Sequence, residues 1–176
     1  MQKIKLILYK YLLKNTFQSK VKFKNDFFKK IHKETYYKQK KYCFGKINPN
    51  KIFYVIKRSP GGGFFSNLIF VLKNIQYAIK KNYIPVVDMK NFSNKYSELS
   101  NLYNNNNIWD IFFFKISKYR LNEVYKSKNV IICNNNFPVN LKDFETTLIK
   151  KTFKKYIKIK PEIIKFVNIF VKTYFK

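Results

Sequence analysis

Three consecutive glycines, Gly61, Gly62 and Gly63, are the residues of this chain whose type and spacing are best suited to chemistry. Residues without side chains let the backbone adopt positive φ angles and approach a ligand closely. Arg58 precedes them and is suited to a charge-assisted bond with a phosphate. Asn67 follows them and can donate to a phosphate or to a sugar hydroxyl. The stretch therefore predicts a phosphate or nucleotide site, with a tight turn that binds nothing as an equal alternative.

The glycine stretch matches neither of two common phosphate-binding motifs. A Walker A loop requires a Lys–Ser/Thr pair after its last glycine, and here Phe64 and Phe65 follow instead. The same residues break the GxGxxG pattern. The chemistry of the stretch is thus not fixed by a motif.

Asp88 is a second candidate, because it ends the apolar run of residues 83–89. An acidic group at that place can bind a ribose or sugar hydroxyl, or it can accept from the N–H groups of the next turn. The sequence leaves both roles open. Glu123 has weaker support as a catalytic group, since no second carboxylate stands at a convincing spacing for acid–base work.

The elements that must position these residues are a strand, a helix and a second strand. Residues 52–57 are rich in β-branched and aromatic residues, residues 65–82 have helical periodicity, and residues 83–89 are continuously apolar. Residues 128–134 predict a third strand. Near-continuous apolar strands that alternate with helices predict an open, Rossmann-like α/β fold with a parallel sheet and flanking helices. In such a sheet the glycines lie at the carboxyl edge, where ligands bind.

The remaining segments are a turn and two helices. Residues 44–51 carry turn chemistry, residues 143–157 are helical, and Pro161 opens a further helix at its first turn. Trp109 and the three phenylalanines at 112–114 are interpreted as core rather than as a stacking platform.

Residues 1–43 predict a basic, amphipathic helical leader, and residues 44–176 an incomplete α/β domain. Apolar residues at helical spacing, such as Leu6, Leu13, Phe27 and Ile31, alternate with lysines. A helix lying on a membrane surface fits this pattern. A helix that packs on the domain and keeps its lysines in water is the alternative, and it is the favoured one.

The net charge of +28 comes from 37 basic and 9 acidic residues, and Arg58 and Arg120 are the two arginines. Lys, Asn, Ile, Phe and Tyr are abundant together, as AT-rich codons produce, so we expect no specific nucleic-acid recognition. Contact with an anionic membrane surface is expected from the charge alone. Cys43 and Cys133 predict two reduced, buried thiols, and with His32 as the one histidine we expect no metal site and no Cys–His nucleophile.

The stretch from Arg58 through IPVVDM, followed by NIWDIFF and LNEVYKSKNVIIC, resembles the N-terminal half of bacterial fucosyltransferase-like glycosyltransferases. These are relatives of the α-1,6-fucosyltransferases and the protein O-fucosyltransferases. The resemblance covers residues 40–170 and implies the N-terminal half of a GT-B-like fold. It implies transfer of a sugar, with fucose from a GDP donor expected, to a surface-glycan acceptor, and no cofactor besides that donor substrate.

By the same resemblance, a set of residues lines the donor or acceptor cleft, namely Gly61, Gly62, Gly63, Phe64, Ser66 and Asn67. Asp88 closes the second strand beside that cleft. A His-x-Arg segment that neutralises the diphosphate in this family has no counterpart here. We therefore expect little activity from the chain alone, a separately encoded C-terminal half as a candidate partner, and a cytoplasmic location with peripheral contact to the inner face of the membrane left open.

Overall fold

The computed structural model describes residues 23–58, 62–92, 94, 96, 107–136 and 146–174. Helices and strands are interspersed along the described chain. In chain order they are α1 (Asp26–Glu34), β1 (Lys40–Tyr42), β2 (Ile47–Ile56), α2 (Phe64–Lys80), β3 (Ile84–Val87), α3 (Trp109–Phe112), α4 (Leu121–Val124), β4 (Ser127–Ile132), α5 (Thr146–Tyr156) and α6 (Pro161–Tyr174).

The four strands form one open, mixed sheet in the order β1-β4-β2-β3. β2 runs parallel to both of its neighbours, whereas β1 pairs antiparallel with β4. The predicted α/β class is therefore confirmed. The expectation of a parallel sheet holds for β4, β2 and β3 and is wrong for β1, which reaches the edge from α1 through a short connection rather than through a crossover.

β2 begins at Ile47, inside the segment predicted to be a turn. That prediction is wrong from residue 47 onward, because the turn-forming residues are accommodated as an irregularity of the strand. The register against β4 shifts between Ile47 and Ile52, and Asn48 adopts a φ of 50°. Asn tolerates this left-handed conformation, and its Nδ2 donates to Glu123 Oε1 at 3.1 Å.

Helices cover both faces of the sheet, as the alternation of side chains along β2 requires. Tyr54 and Ile56 belong to one buried cluster, which α2 and residues of the α5 segment cover. Phe53 and Val55 belong to the other, which includes buried residues of α1 and α4. The predicted core residue Trp109 is 3% exposed and lies in the first cluster.

The described part of the predicted leader packs on the sheet. Asn25 caps α1 by accepting from the backbone N–H of Phe28. Phe28 and Ile31 are buried against the second cluster, and β1 extends the sheet. For residues 26–42 the packed alternative is thus the one observed, and residues 1–22 lie outside the described residues.

Cys133 is buried as predicted, but Cys43 is exposed, so the prediction of two buried thiols is wrong for Cys43. The residue directly follows β1, an edge strand of the described sheet. Both cysteines are free.

The connection between α5 and α6 includes Lys158 and Lys160. The backbone N–H of Phe114 donates to the oxygen of Lys158, and the backbone N–H of Lys160 donates to the oxygen of Phe112. α6 begins at Pro161 as predicted. Three apolar side chains of α6, those of Ile164, Val167 and Val171, are each about half exposed and repeat at helical spacing. Of the helices in the described residues, none has both the length and the apolar character that crossing a membrane requires.

Candidate functional site

The strand order reverses at β2, and we call the region at the carboxyl ends of β2 and β4 the crevice. The chain leaves β2, crosses to β3 on one side, and returns to β4 on the other. Such a reversal point is where open α/β sheets bind ligands. Residues that follow β2 and β4 therefore form the candidate site.

The glycine bend lies directly after β2 at this edge. Gly61 lies outside the described residues. Gly63 is the N-cap of α2 with φ −64° and ψ 174°, and no described glycine has a positive φ. Gly62 and Gly63 therefore do not use the positive φ that glycine permits.

Space above the bend differs between these two glycines. A Cβ on Gly63 would meet no described atom within 4 Å, whereas one on Gly62 would lie 2.9 Å from Oγ of Ser66. Gly63 is thus open to an approaching group, and Ser66 covers Gly62.

Two backbone amides in the first turn of α2 have no hydrogen-bond partner among the described residues. No side chain caps Gly63, and the backbone N–H of Phe64 bonds to the hydroxyl of Tyr96. The amides of Phe65 and Ser66 have no partner in the described part of the chain. Free amides at a helix N-terminus attract anions.

Asn67 offers an acceptor rather than the expected donor. Its Nδ2 donates to the carbonyl of Gly62 at 3.1 Å. Its Oδ1 is buried and has no partner within the described ranges, and the residue is 5% exposed. A buried, unsatisfied oxygen is costly, so a ligand that donates a hydrogen would be stabilised there.

Phe64 packs into the core rather than standing over the bend. Its ring lies 5.5 Å from Phe112 and 6.0 Å from Phe113, between ring centroids. A void of about 20 Å³ between α2 and α3 is lined by these rings and by Asn67. This space is too small for a sugar.

Arg58 is held between β4 and α2. Its Nη1 donates to the backbone oxygen of Asn135 at 3.1 Å, and its guanidinium carbon lies 4.5 Å from the ring centroid of Phe70. Burial lowers the pKa of Arg58. The side chain lies at the crevice, but its planar group already has partners.

Lys57 and His32 meet at the crevice, and sequence reasoning missed both. Nζ of Lys57 donates to Oδ1 of Asn135 at 3.0 Å and lies 3.4 Å from Nδ1 of His32. Lys57 is fully buried. Its place directly after an apolar strand was the available signal, whereas only the packing of α1 brings His32 to it.

Burial sets the charge state of this pair. It lowers the pKa of Lys57 to about 8, an effect that the neighbouring Cys133 opposes. Burial, and then the nearby Lys57, lowers the pKa of His32 to about 4. Near pH 7 the pair therefore carries one positive charge, on an amine that loses its proton readily.

Asp88 lies beside Lys57 on the neighbouring strand but is fully buried. Its carboxylate accepts from the backbone N–H groups of Lys90 and Asn91, from Asn91 Nδ2 and from the hydroxyl of Tyr125, all within 3.0 Å. Burial raises the pKa of Asp88, and these hydrogen bonds lower it. The turn-capping role left open by the sequence is thus the one observed.

The structure brings Arg58, Gly62, Gly63, Ser66 and Asn67 together at one edge. Phe64 and Asp88 adjoin that edge but point into the core.

Within the described residues, no group of three or more His, Cys, Asp or Glu side chains is placed to hold a metal ion. Comparisons with protein-family models, with curated proteins and with solved structures found no match for this chain.

Proposed function

We propose that this chain is the N-terminal α/β portion of a fucosyltransferase-like glycosyltransferase whose glycine bend contacts a nucleotide sugar. The observation that carries the proposal is the bend itself. It combines open space over Gly63 with amides of Phe65 and Ser66 that have no partner among the described residues, at a strand-order reversal. Backbone amides at a helix N-terminus suit a phosphate.

Arg58 and Lys57 supply positive charge on the other side of the same crevice. Charge of this sign favours a diphosphate group. Asp88 is left out of the proposed contacts, because its carboxylate oxygens are occupied within the fold.

The proposal includes a separately encoded C-terminal half that supplies the remaining donor contacts. The exposed apolar stripe of Ile164, Val167 and Val171 on α6 is the surface offered to it. Alone, the chain is expected to bind its donor weakly and to transfer little sugar. Action in the cytoplasm, with peripheral contact to the inner face of the membrane, is part of the same proposal.

The test is donor binding by the full chain and by Gly63→Val. The added side chain enters open space, so we expect a change in the free energy of unfolding of about 1 kcal/mol or less. NMR shifts would report weak binding of GDP-fucose, reduced at least about tenfold in the variant.

Lys80→Ala, at the other end of α2, is the matched control and should bind as the parent does. Binding that is absent in the parent, or equal in parent and Gly63→Val, would contradict the proposal.

The alternative, a non-enzymatic module that binds RNA or anionic lipid, has weaker geometric support. Such a binder concentrates its cations on one surface. Here exposed lysines lie on α1, over one face of the sheet, and on α5, over the other. Affinity for a single-stranded RNA or for anionic vesicles that falls steeply with salt would favour this alternative.

A further inference from the structure

A cavity of about 330 Å³ lies along the outer edge of β3, away from the glycine bend. Asn107 holds the facing segment in place by donating to the backbone oxygen of Val87 at 2.8 Å and accepting from the backbone N–H of Met89 at 2.9 Å. The side chain thus imitates a neighbouring strand at the sheet edge. The cavity that remains has the size of a small-molecule site.

Two residues that line the cavity each carry a buried side-chain oxygen. Oδ1 of Asp110 and Oγ of Ser117 are both buried, and neither is hydrogen-bonded within the described ranges. Leaving buried polar atoms unsatisfied costs free energy, and a native structure retains few of them. Both atoms can accept a hydrogen bond from a hydroxyl group.

Three cations also line the cavity, namely Lys90, Lys115 and Arg120. Their side chains are exposed, and none forms an ion pair with a carboxylate in the described part of the chain. Burial raises the pKa of Asp110, whereas Lys115, then Lys160, and then a side-chain hydrogen bond between the carboxyl group and Asn107 lower it. One carboxylate among several cations leaves the cavity with a net positive charge.

We propose that this cavity binds a small phosphorylated polyol, a sugar phosphate. The phosphate meets Lys90, Lys115 and Arg120, while hydroxyl groups donate to Asp110 and Ser117. An anion without hydroxyl groups would be attracted by the three cationic side chains but repelled by the carboxylate of Asp110. The combination of cations and hydrogen-bond acceptors therefore selects a ligand that carries both phosphate and hydroxyl groups. The site is separate from the glycine bend, and either proposal can fail without the other.

Intrinsic tryptophan fluorescence can report binding in this cavity, because Trp109 is the single tryptophan of the chain and lines the cavity wall. Tryptophan fluorescence would be titrated with glucose 6-phosphate, glucose and inorganic phosphate, each at about 0.15 M ionic strength to screen general attraction. We expect glucose 6-phosphate to bind at least about tenfold more tightly than either other probe. Equal response to glucose 6-phosphate and phosphate, or no response to any probe, would overturn the proposal.

Asp110→Ala separates this site from general attraction of anions to a basic protein. The variant removes a negative charge, so general attraction predicts stronger binding of every anion. The proposed site predicts the opposite for glucose 6-phosphate, a loss of about tenfold, with no loss for inorganic phosphate.

Ser117→Ala is the second variant, should Asp110→Ala not fold, and we expect it to weaken glucose 6-phosphate severalfold. Lys128→Gln, an exposed charge change on β4 away from the cavity, is the control and should leave the preference unchanged. Thermal melts would confirm that each variant is folded. Stronger binding of glucose 6-phosphate by Asp110→Ala, or an unchanged preference in both cavity variants, would overturn the proposal.

Discussion

At the scale of single residues, the described glycine with the tightest packing is Gly45, which lies outside the glycine bend. A Cβ on Gly45 would clash with the backbone oxygen of Lys126, which cannot move as a flexible side chain can. A Cβ on Gly63 would meet nothing in the described chain within 4 Å. One glycine is therefore required by packing, and the other is free to serve a ligand.

Gly45→Ala should destabilise the protein by about 2 kcal/mol or more, because strand and turn must separate to admit the methyl group. Gly63→Ala should cost about 1 kcal/mol or less, the difference between Gly and Ala at a helix N-cap. Urea unfolding of both variants would measure this difference. Equal losses would show that the close approach of Gly45 to Lys126 is not maintained in solution.

Lys57 should make stability depend on pH in the alkaline range. Its pKa is about 8 in the folded protein against 10.5 in the unfolded chain, so the unfolded state binds more protons between these values. Stability should therefore rise as the pH is raised from 8 to 10.5, and the full cost of about 3 kcal/mol is present below pH 8.

Lys57→Met removes that cost and should raise the free energy of unfolding at pH 7 by about 1–3 kcal/mol. The gain is smaller than the full cost because the hydrogen bond to Asn135 is lost at the same time. The gain should shrink toward pH 10. Urea unfolding at pH 7 and pH 10 would measure it, with the exposed Lys128→Met as control. If the difference in the free energy of unfolding between Lys57→Met and the parent stayed constant with pH, the lowered pKa of Lys57 would be refuted.

At the scale of elements, the sequence of α1 is compatible with two placements of the same helix. A membrane-surface helix and a helix packed on the domain both require an apolar stripe and exposed lysines. Phe28 is 7% exposed and contacts the ring of Phe92, whereas its neighbour Phe27 is 49% exposed. The sheet face beneath α1 decides between the two, and that face is formed by residues far along the chain.

Phe28→Ala should cost about 3 kcal/mol or more through the cavity it leaves, and Phe27→Ala about 1 kcal/mol or less. Thermal or urea unfolding in the absence of lipid would measure both. If α1 were docked on membrane instead, neither change would alter stability in water.

At the scale of the whole molecule, a net charge of +28 opposes compaction through repulsion among lysines. The described lysines lie on both faces of the sheet, and one described ion pair, Lys40 with Glu34, offsets them. Repulsion of this kind is screened by salt, because exposed charges interact over about one Debye length.

The melting temperature should therefore rise between about 0.05 M and 0.5 M NaCl. If screening contributes about 1 kcal/mol, the rise is about 3 °C for a chain of this size. Calorimetry in NaCl and in sodium acetate of equal ionic strength would measure it and separate screening from specific chloride binding. A fall with either salt would mean that attractive pairs outweigh the repulsion.

The sequence alone determined the parts of this protein that depend on local pattern. The apolar runs of β2, β3 and β4, the helical periodicity of α2 and the proline that opens α6 each specify their element through neighbours a few residues away. Their alternation also specified the α/β class and the position of the glycine bend after a strand.

Only the tertiary structure decided which side chains meet. The side chain of His32 approaches Lys57, and the hydroxyl of Tyr125 donates to the carboxylate of Asp88. Residues 107–122 form a cavity with β3, and Asn107 accepts from the backbone N–H of Met89, just beyond that strand. These contacts join residues that are 18 to 37 positions apart in the sequence. Local patterns carry no information about such distant pairs, because their geometry follows from strand order and helix docking. For the same reason the antiparallel placement of β1 and the cavity beside β3 emerged only from the folded chain.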